Sequence, residues 1–261
     1  QVLMRGTLAR RGATGIALES PEELLGPDVN VRTRVHEYGG GEYAVHRDRI
    51  YCVDDGRGVV VGGRLGSPMR PLTHAGSRFA DLVVSPDGRW LVAVEERPRP
   101  GQEPENRLVA IALPEDPAQA PDLAPPRVVA AGADFYASPV FDRAGGRLAF
   151  LAWDHPNMPW NETRLEQVGF GPAGAQGSLV RLAGGSGESL FQPGFGPDGA
   201  LYVVSDRSGF WNLARLGDSG LRPVHALAGE LGRPQWVFGL STWVGLEGGR
   251  VLASVTRGGR D

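Results

Sequence analysis

The sequence predicts an all-β protein, a β-propeller with four-stranded antiparallel blades around a central axis. The first observation behind this prediction is a glycine-containing turn that recurs between short apolar runs, because Asp-Gly and Gly-Gly tolerate the positive φ of tight hairpins. The second is the spacing of the turn, roughly 50 to 58 residues, which is typical of propeller blades. The turns occupy Ser85–Arg89, Phe141–Arg147, Gly196–Ala200 and Leu246–Arg250.

The composition of the strands supports the same fold. The runs that follow the turns, such as Trp90–Val94 and Leu148–Trp153, are almost entirely apolar. This pattern indicates strands that are buried on both faces, as in blades that pack face to face. No segment keeps an apolar period of 3.6 residues for three turns, and the single helix-like piece is short, Pro21–Leu25.

The repeat divides the chain into the blades of one partial propeller domain. Residues 1–30 end an early blade, successive blades occupy 31–78, 79–133, 134–189 and 190–235, and 236–261 begin a further blade. The inner strands are predicted near Tyr43, Leu82, Pro139, Gly194 and Leu240. A ring of seven blades needs on the order of 350 residues at this repeat length. We therefore expect about five to six blades of a longer protein, with an N-terminus that precedes Gln1.

Charge and hydropathy exclude several classes of function. Lys and Arg total 27 against 30 acidic residues, so no basic excess indicates a nucleic-acid partner. No run of about 18 apolar residues is present, which argues against a membrane span, and Gln1–Arg5 does not have the pattern of a signal peptide. A cytoplasmic location is predicted. The single cysteine, Cys52, cannot form a disulfide within the chain and is predicted to be a core residue.

No catalytic motif is found in the sequence. The strings closest to a G-x-S-x-G nucleophile elbow, Gly184–Glu188 and Gly217–Leu221, lack the final glycine and lie in polar hairpin loops. The five histidines show no metal-ligand spacing, and no phosphate-binding glycine loop occurs. The sequence therefore predicts no catalytic residue, no metal site and no cofactor.

Two segments carry residue types that a strand does not need. In the first, Arg32, Arg34, His36, Glu37 and Tyr38 precede three consecutive glycines. One interpretation is a solvated loop whose glycines let the inner strand approach the axis. The other is a charged cluster on the propeller face that pairs with a partner domain or with a substrate terminus.

The second such segment, Trp153–Asn161, contains Asp154, His155, Asn157 and Trp160. Its two prolines and two tryptophans predict an ordered loop, and ordered loops often carry function. A purely structural loop packed by its own tryptophans is equally consistent with the pattern. A third segment, Ser205–Leu213, is predicted to be a hairpin between strands.

These segments resemble the propellers of bacterial serine peptidases of the prolyl oligopeptidase (S9) family, in the acylaminoacyl-peptidase and dipeptidyl-aminopeptidase branch. The resemblance rests on five segments spread over the chain. They are Arg32–Gly41, Asp134–Pro139, Trp153–Trp160, Ser205–Leu213 and Arg233–Gly239.

The resemblance implies a seven-bladed propeller that caps an α/β-hydrolase domain. The catalytic triad of the family belongs to that hydrolase domain, so this chain is expected to be inactive alone. It implies that the partners are the hydrolase domain of the same parent protein and short peptides, which the propeller admits while folded proteins are excluded. Glu37 is the acid in a family motif, and some branches hold the substrate amino terminus with propeller carboxylates. Self-association into a homo-oligomer is compatible with this picture.

An alternative is a stand-alone propeller of the TolB type that binds other proteins. Such propellers share the Asp-Gly turns. The segments His36–Gly41 and Asp154–Trp160 argue against it, because they are part of the resemblance to the peptidases.

Overall fold

The computed structural model describes residues 3–11, 15–114 and 123–258, and they form an all-β propeller. Four antiparallel sheets have four strands each, and a two-stranded sheet stands at either end of the chain. Within each sheet the strands follow one another in chain order. No helix occurs among the described residues, and so none is long and apolar enough to cross a membrane. The predicted fold class is confirmed.

The strands of the six sheets are numbered β1 to β20 in chain order. The first and second sheets comprise β1 (Met4–Arg11), β2 (Gly15–Glu23), β3 (Tyr43–His46), β4 (Arg49–Asp54), β5 (Val59–Arg64) and β6 (Arg70–Pro71). The third and fourth comprise β7 (Arg78–Val84), β8 (Trp90–Arg99), β9 (Gln102–Ala112), β10 (Arg127–Ala130), β11 (Phe135–Phe141), β12 (Arg147–Trp153), β13 (Arg164–Gly171) and β14 (Gly174–Gly184). The fifth and sixth comprise β15 (Leu190–Phe195), β16 (Leu201–Ser205), β17 (Asn212–Gly217), β18 (Gly220–Pro223), β19 (Trp243–Leu246) and β20 (Arg250–Ala253).

The hydrophobic core lies between neighbouring sheets. The second strand of each full blade is buried on both faces, as its apolar sequence predicts, and Leu91 on β8 and Phe150 on β12 are fully buried. One cluster joins the third and fourth blades and contains Val92, Leu108 and Phe150. Similar clusters join the second to the third blade and the fourth to the fifth. Face-to-face packing of twisted blades therefore provides the apolar burial that stabilises the fold.

The turns between the first and second strands are closed by an aspartate and a glycine. In the third blade Asp87 Oδ1 accepts hydrogen bonds from Ser85 Oγ (2.6 Å) and from the Arg89 amide (3.1 Å). Gly88 has φ +75°, which an L side chain rarely adopts. In the fourth blade the positive φ belongs to Gly145, the first glycine of its pair.

The first strands of successive blades contact one another around the axis, and three of them share a bulge. At each bulge a non-glycine residue has positive φ: Asp81 (55°), Ser138 (55°) and Gln192 (46°). Asp81 Oδ2 accepts the Ser138 amide of the next blade (2.5 Å), and Gln192 Oε1 accepts the Thr242 amide (2.6 Å). Asp81 therefore joins the inner strands of the third and fourth blades, and Gln192 joins the fifth blade to the residue that precedes β19.

Two local predictions are wrong. Leu240 does not lie in a strand, because the segment that contains it crosses to the loop before β3 and the sixth sheet begins at β19. The helix-like piece at Pro21–Leu25 is not helical: its first three residues end β2, where Glu22 and Glu23 pair with β1, and Leu24 and Leu25 follow the strand. Cys52 is a buried free thiol, and burial raises its pKa to about 12.

Candidate functional site

One face of the propeller carries a cavity of about 670 Å³ where loops from different blades meet. The loop before β3 contributes His36, Glu37 and Tyr38, and the loop after β12 contributes His155 and Trp160. The segment 235–240 between the fifth and sixth sheets and the hairpin of β8 and β9 also line the cavity. The structure thus brings together parts of two segments that the sequence analysis selected separately.

The three glycines before β3 allow the loop to fold against its neighbours. A Cβ on Gly39, which has φ +71°, would lie 2.2 Å from the Thr33 carbonyl oxygen. A Cβ on Gly40 would lie 2.5 Å from the carbonyl oxygen of Phe238, whose amide donates to Gly39 O (2.9 Å). His36 (φ 51°) and Glu37 (φ 68°) also have the left-handed conformation, which is uncommon outside glycine and is often found at binding sites.

His36 lies in an aromatic surrounding. Its ring centroid lies 5.0 Å from that of Phe135, 5.7 Å from Trp153 and 4.9 Å from Phe238. Burial lowers the pKa of His36 to about 4, against an opposing contribution from the Asn106 side chain. His36 is therefore neutral near pH 7, and its ring behaves mainly as an aromatic wall.

The hairpin of β8 and β9 supplies polar groups that the sequence analysis did not select: Glu96, Glu103 and Asn106. Glu96 is buried, accepts the His36 amide (3.0 Å) and forms an ion pair with Arg78 (2.7 Å). Asn106 is 7% exposed and donates to the Asp134 carbonyl oxygen (2.8 Å). These residues reach the cavity because β8 and β9 are longer than the other middle strands.

The loop after β12 is held by reciprocal contacts. Asp154 accepts the Asp134 amide (3.0 Å) and pairs with Arg164 (2.6 Å), while Asp134 accepts the His155 amide (3.0 Å). Burial acts to raise the pKa of Asp154, but the hydrogen bonds from Arg164 and Asp134 outweigh it and lower the pKa below its usual value. Asp154 is thus a structural brace for the loop.

The predicted site residues therefore separate into two groups. His36, Glu37, Tyr38, His155 and Trp160 line the cavity. The remaining four, Arg32, Arg34, Asp154 and Asn157, do not line it. The Arg34 side chain pairs with Asp55 (3.4 Å) at the surface.

No family model matches the sequence, and no curated protein matches it. Among solved structures, a puromycin-hydrolyzing peptidase from Mycobacterium tuberculosis superposes with a TM-score of 0.77 and 32% identity, covering 88% of this chain and 37% of that one. A puromycin hydrolase matches with a TM-score of 0.77 and 29% identity, covering 87% of this chain and 37% of that one.

A TolB protein from Agrobacterium tumefaciens matches with a TM-score of 0.50 and 12% identity, covering 81% of this chain and 67% of that one. At that identity the match shows the fold alone. The chain thus spans little more than a third of the length of the peptidases that it resembles. The resemblance inferred from the sequence is confirmed: the chain is a propeller of the type found in S9 serine peptidases.

Proposed function

We propose that this chain is the non-catalytic propeller of a longer serine peptidase and that its cavity face admits short peptides to a separate α/β-hydrolase domain. The observation that carries the proposal is the match to the puromycin-hydrolyzing peptidase, which extends over 88% of this chain but only 37% of that peptidase. The branch of the family, acylaminoacyl-peptidase or dipeptidyl-aminopeptidase, is part of the proposal.

The dimensions of the cavity support a role in handling peptides. Its volume of about 670 Å³ lies within the range of small-ligand sites, about 300–1,000 Å³. Such a space accepts a few amino-acid residues and is too small for a folded domain. Its walls combine aromatic side chains with a few polar groups, which is the usual composition of a binding cavity.

Glu37 is the residue proposed to contact the substrate amino terminus or an arginine of the hydrolase domain. Its side chain is exposed at the cavity and forms no ion pair with another described residue. The local alternative, a pair with a neighbouring arginine, receives no support, because Arg34 is engaged by Asp55.

The test is to express this chain alone and the longest natural reading frame that contains it, and to treat both with a fluorophosphonate probe. We expect the long form to be labelled on a serine outside residues 1–261 and the chain alone to stay unlabelled. The long form should cleave a tetrapeptide substrate and leave the same sequence uncut within a folded domain.

Two results would overturn the proposal. Labelling of a serine within residues 1–261 would place catalysis in this chain. A reading frame that encodes no hydrolase domain would favour a stand-alone binding propeller.

A further inference from the structure

The hairpin of β8 and β9 holds the loop before β3 at one residue, His36. The buried carboxylate of Glu96 accepts a hydrogen bond from the His36 amide (3.0 Å), and the Asn106 side chain hydrogen-bonds to the side chain of His36. Glu96 and Asn106 lie directly opposite each other in the register of the two strands. A single cross-strand pair therefore holds both the main chain and the side chain of His36.

Glu96 is itself fixed in one orientation. Its second carboxylate oxygen pairs with Arg78 (2.7 Å), which lies directly opposite Glu96 in the register of β7 and β8. The first oxygen is the one that accepts the His36 amide. Because charge-assisted hydrogen bonds are short and directional, a carboxylate bound at both oxygens has little freedom to rotate. The acceptor for the His36 amide is therefore in place before any ligand binds.

The loop has a backbone conformation that needs such support. His36 (φ 51°) and Glu37 (φ 68°) are consecutive non-glycine residues with left-handed backbone. This conformation is costly and persists only where neighbouring contacts impose it. Since the backbone of Glu37 sets the direction in which its side chain leaves the main chain, the contacts that impose the turn also determine where the Glu37 carboxylate lies.

Other contacts anchor the two ends of the loop. At its start, Thr33 Oγ1 donates to the carbonyl oxygen of Phe79 on β7 (2.6 Å). At its end, the carbonyl oxygen of Gly39 accepts the Phe238 amide (2.9 Å). Between these anchors, Glu96 ties the turn at His36 to β8.

We propose that Glu96, oriented by Arg78, is a positioning residue that presents the Glu37 side chain to the cavity. The inference rests on the proposed function in taking Glu37 as the group that contacts the substrate or the hydrolase domain. Glu96 acts through the main chain of His36 and does not form that contact, because both of its oxygens are engaged within the propeller. The Glu37 side chain, by contrast, is exposed.

Glu95, the preceding residue of β8, provides a matched control. Glu95 and Glu96 are each 4% exposed, and Glu95 also pairs with an arginine, Arg107 (2.6 Å). Successive side chains of a strand point to opposite faces, so Glu95 faces away from the His36 amide. Glu95→Ala and Glu96→Ala therefore each remove one buried ion pair, and only Glu96→Ala removes the acceptor of the His36 amide.

Hydrogen exchange of the His36 amide, measured by NMR on this chain alone, tests the support of the loop. We expect Glu96→Ala to speed this exchange at least about tenfold, because an amide that has lost its acceptor is open to water. Glu95→Ala should leave the exchange rate within about twofold of the parent value. Unchanged exchange in Glu96→Ala would overturn the positioning role.

The effect on function is measured as kcat/KM for a short peptide in the longer serine peptidase that we propose contains this chain. Glu96→Ala should lower kcat/KM about fivefold or more, and Glu95→Ala should change it less than about twofold. Because Glu96 acts through Glu37, adding Glu96→Ala to Glu37→Gln should lower kcat/KM by less than about a further twofold. Glu96→Gln keeps an oxygen acceptor for the His36 amide and should restore most of the activity lost in Glu96→Ala.

Effects of Glu96→Ala and Glu37→Gln that multiply in the double variant would overturn the proposal, because Glu96 would then act independently of Glu37. Equal losses of kcat/KM in Glu95→Ala and Glu96→Ala would also overturn it, since loss of stability would explain both. Arg78 is an exposed residue, so Arg78→Ala keeps the test valid if Glu96→Ala fails to fold. It should lower kcat/KM in the parent and not in the Glu37→Gln background.

The two measurements separate this proposal from the proposed function. If Glu37→Gln alone leaves kcat/KM unchanged, the proposed contact of Glu37 fails, and the positioning role fails with it. If Glu37→Gln lowers kcat/KM while Glu96→Ala leaves both kcat/KM and the exchange of the His36 amide unchanged, the positioning role alone is overturned.

Discussion

The blade cores and the cavity face differ in the burial, polarity and backbone conformation of their residues. On the middle strands the side chains are apolar and fully buried, as at Leu148 and Phe150. On the cavity face the backbone of His36 and Glu37 has positive φ, the Glu37 side chain is exposed, and Trp236 is half exposed. The difference indicates that the blades provide stability, while the loops keep exposed polar and aromatic groups that can contact a ligand.

The largest expected effect is on the blade core. Phe150→Ala should lower the free energy of unfolding by about 3–5 kcal/mol, because it removes a fully buried ring between two blades. Denaturant unfolding measures this loss of free energy. Val180→Ala, at a position 51% exposed on β14, is the control and should change the free energy of unfolding by less than about 0.5 kcal/mol. A loss below about 1 kcal/mol for Phe150→Ala would contradict the assignment of stability to the blade interfaces.

A smaller effect tests the backbone of the cavity loop. Gly39→Ala should lower the free energy of unfolding by about 2–4 kcal/mol, because positive φ and a Cβ 2.2 Å from Thr33 O both oppose it. Gly58→Ala is the matched control, with a similar φ of +64° and open space around the added methyl group, and should cost only about 1–2 kcal/mol. Equal losses for the two variants would show that the close approach at Gly39 is unimportant.

Asp81, at the bulge of an inner strand, is expected to make the free energy of unfolding depend on pH. Burial raises the pKa of Asp81 to about 6, and the hydrogen bond from the Ser138 amide opposes that shift. Since the folded pKa lies above the unfolded value of about 3.9, the contribution of Asp81 to stability is greatest below pH 4. That contribution is lost as the pH rises through about 6.

Asp81→Asn keeps an acceptor for the Ser138 amide and removes the charge, and asparagine tolerates positive φ. We expect the variant to be about 1–3 kcal/mol more stable than the parent chain at pH 8 and nearly equal to it at pH 4. Unfolding curves at the two pH values measure this difference. A stability change that is the same at both pH values would contradict the claim that burial of the Asp81 carboxylate raises its pKa.

The smallest effect concerns a residue that the sequence analysis selected and the structure places outside the cavity. Asp154→Asn weakens the partly exposed pair with Arg164 and retains an acceptor for the Asp134 amide. We expect a loss of about 0–1 kcal/mol in stability and no change in peptide binding. A tenfold loss of binding affinity would return Asp154 to the candidate site.

The sequence predicted the blades because their signals are local: a hairpin needs its Asp-Gly turn, and a doubly buried strand needs an apolar run. The sequence analysis selected His36, Glu37 and Trp160, which line the cavity, because charged and aromatic residues exceeded what their segments needed. Asn106 and Glu96 were missed because they lie within a strand pattern, and they reach the cavity only through the length of the β8–β9 hairpin. The path of the segment around Leu240 depends on contacts with Gly39 and Gly40, two hundred residues earlier, which no local pattern reveals.

The most direct test of the account is the kinetics of Glu37→Gln in the longer serine peptidase that we propose contains this chain, with a short peptide as substrate. The melting temperature of the propeller is measured in parallel. A charge-assisted contact to Glu37 is worth about 1.5–3 kcal/mol, so kcat/KM should fall at least about tenfold while the melting temperature stays nearly unchanged. Unchanged kinetics with a lowered melting temperature would contradict the account, because Glu37 would then stabilise the loop and take no part in substrate binding or domain closure.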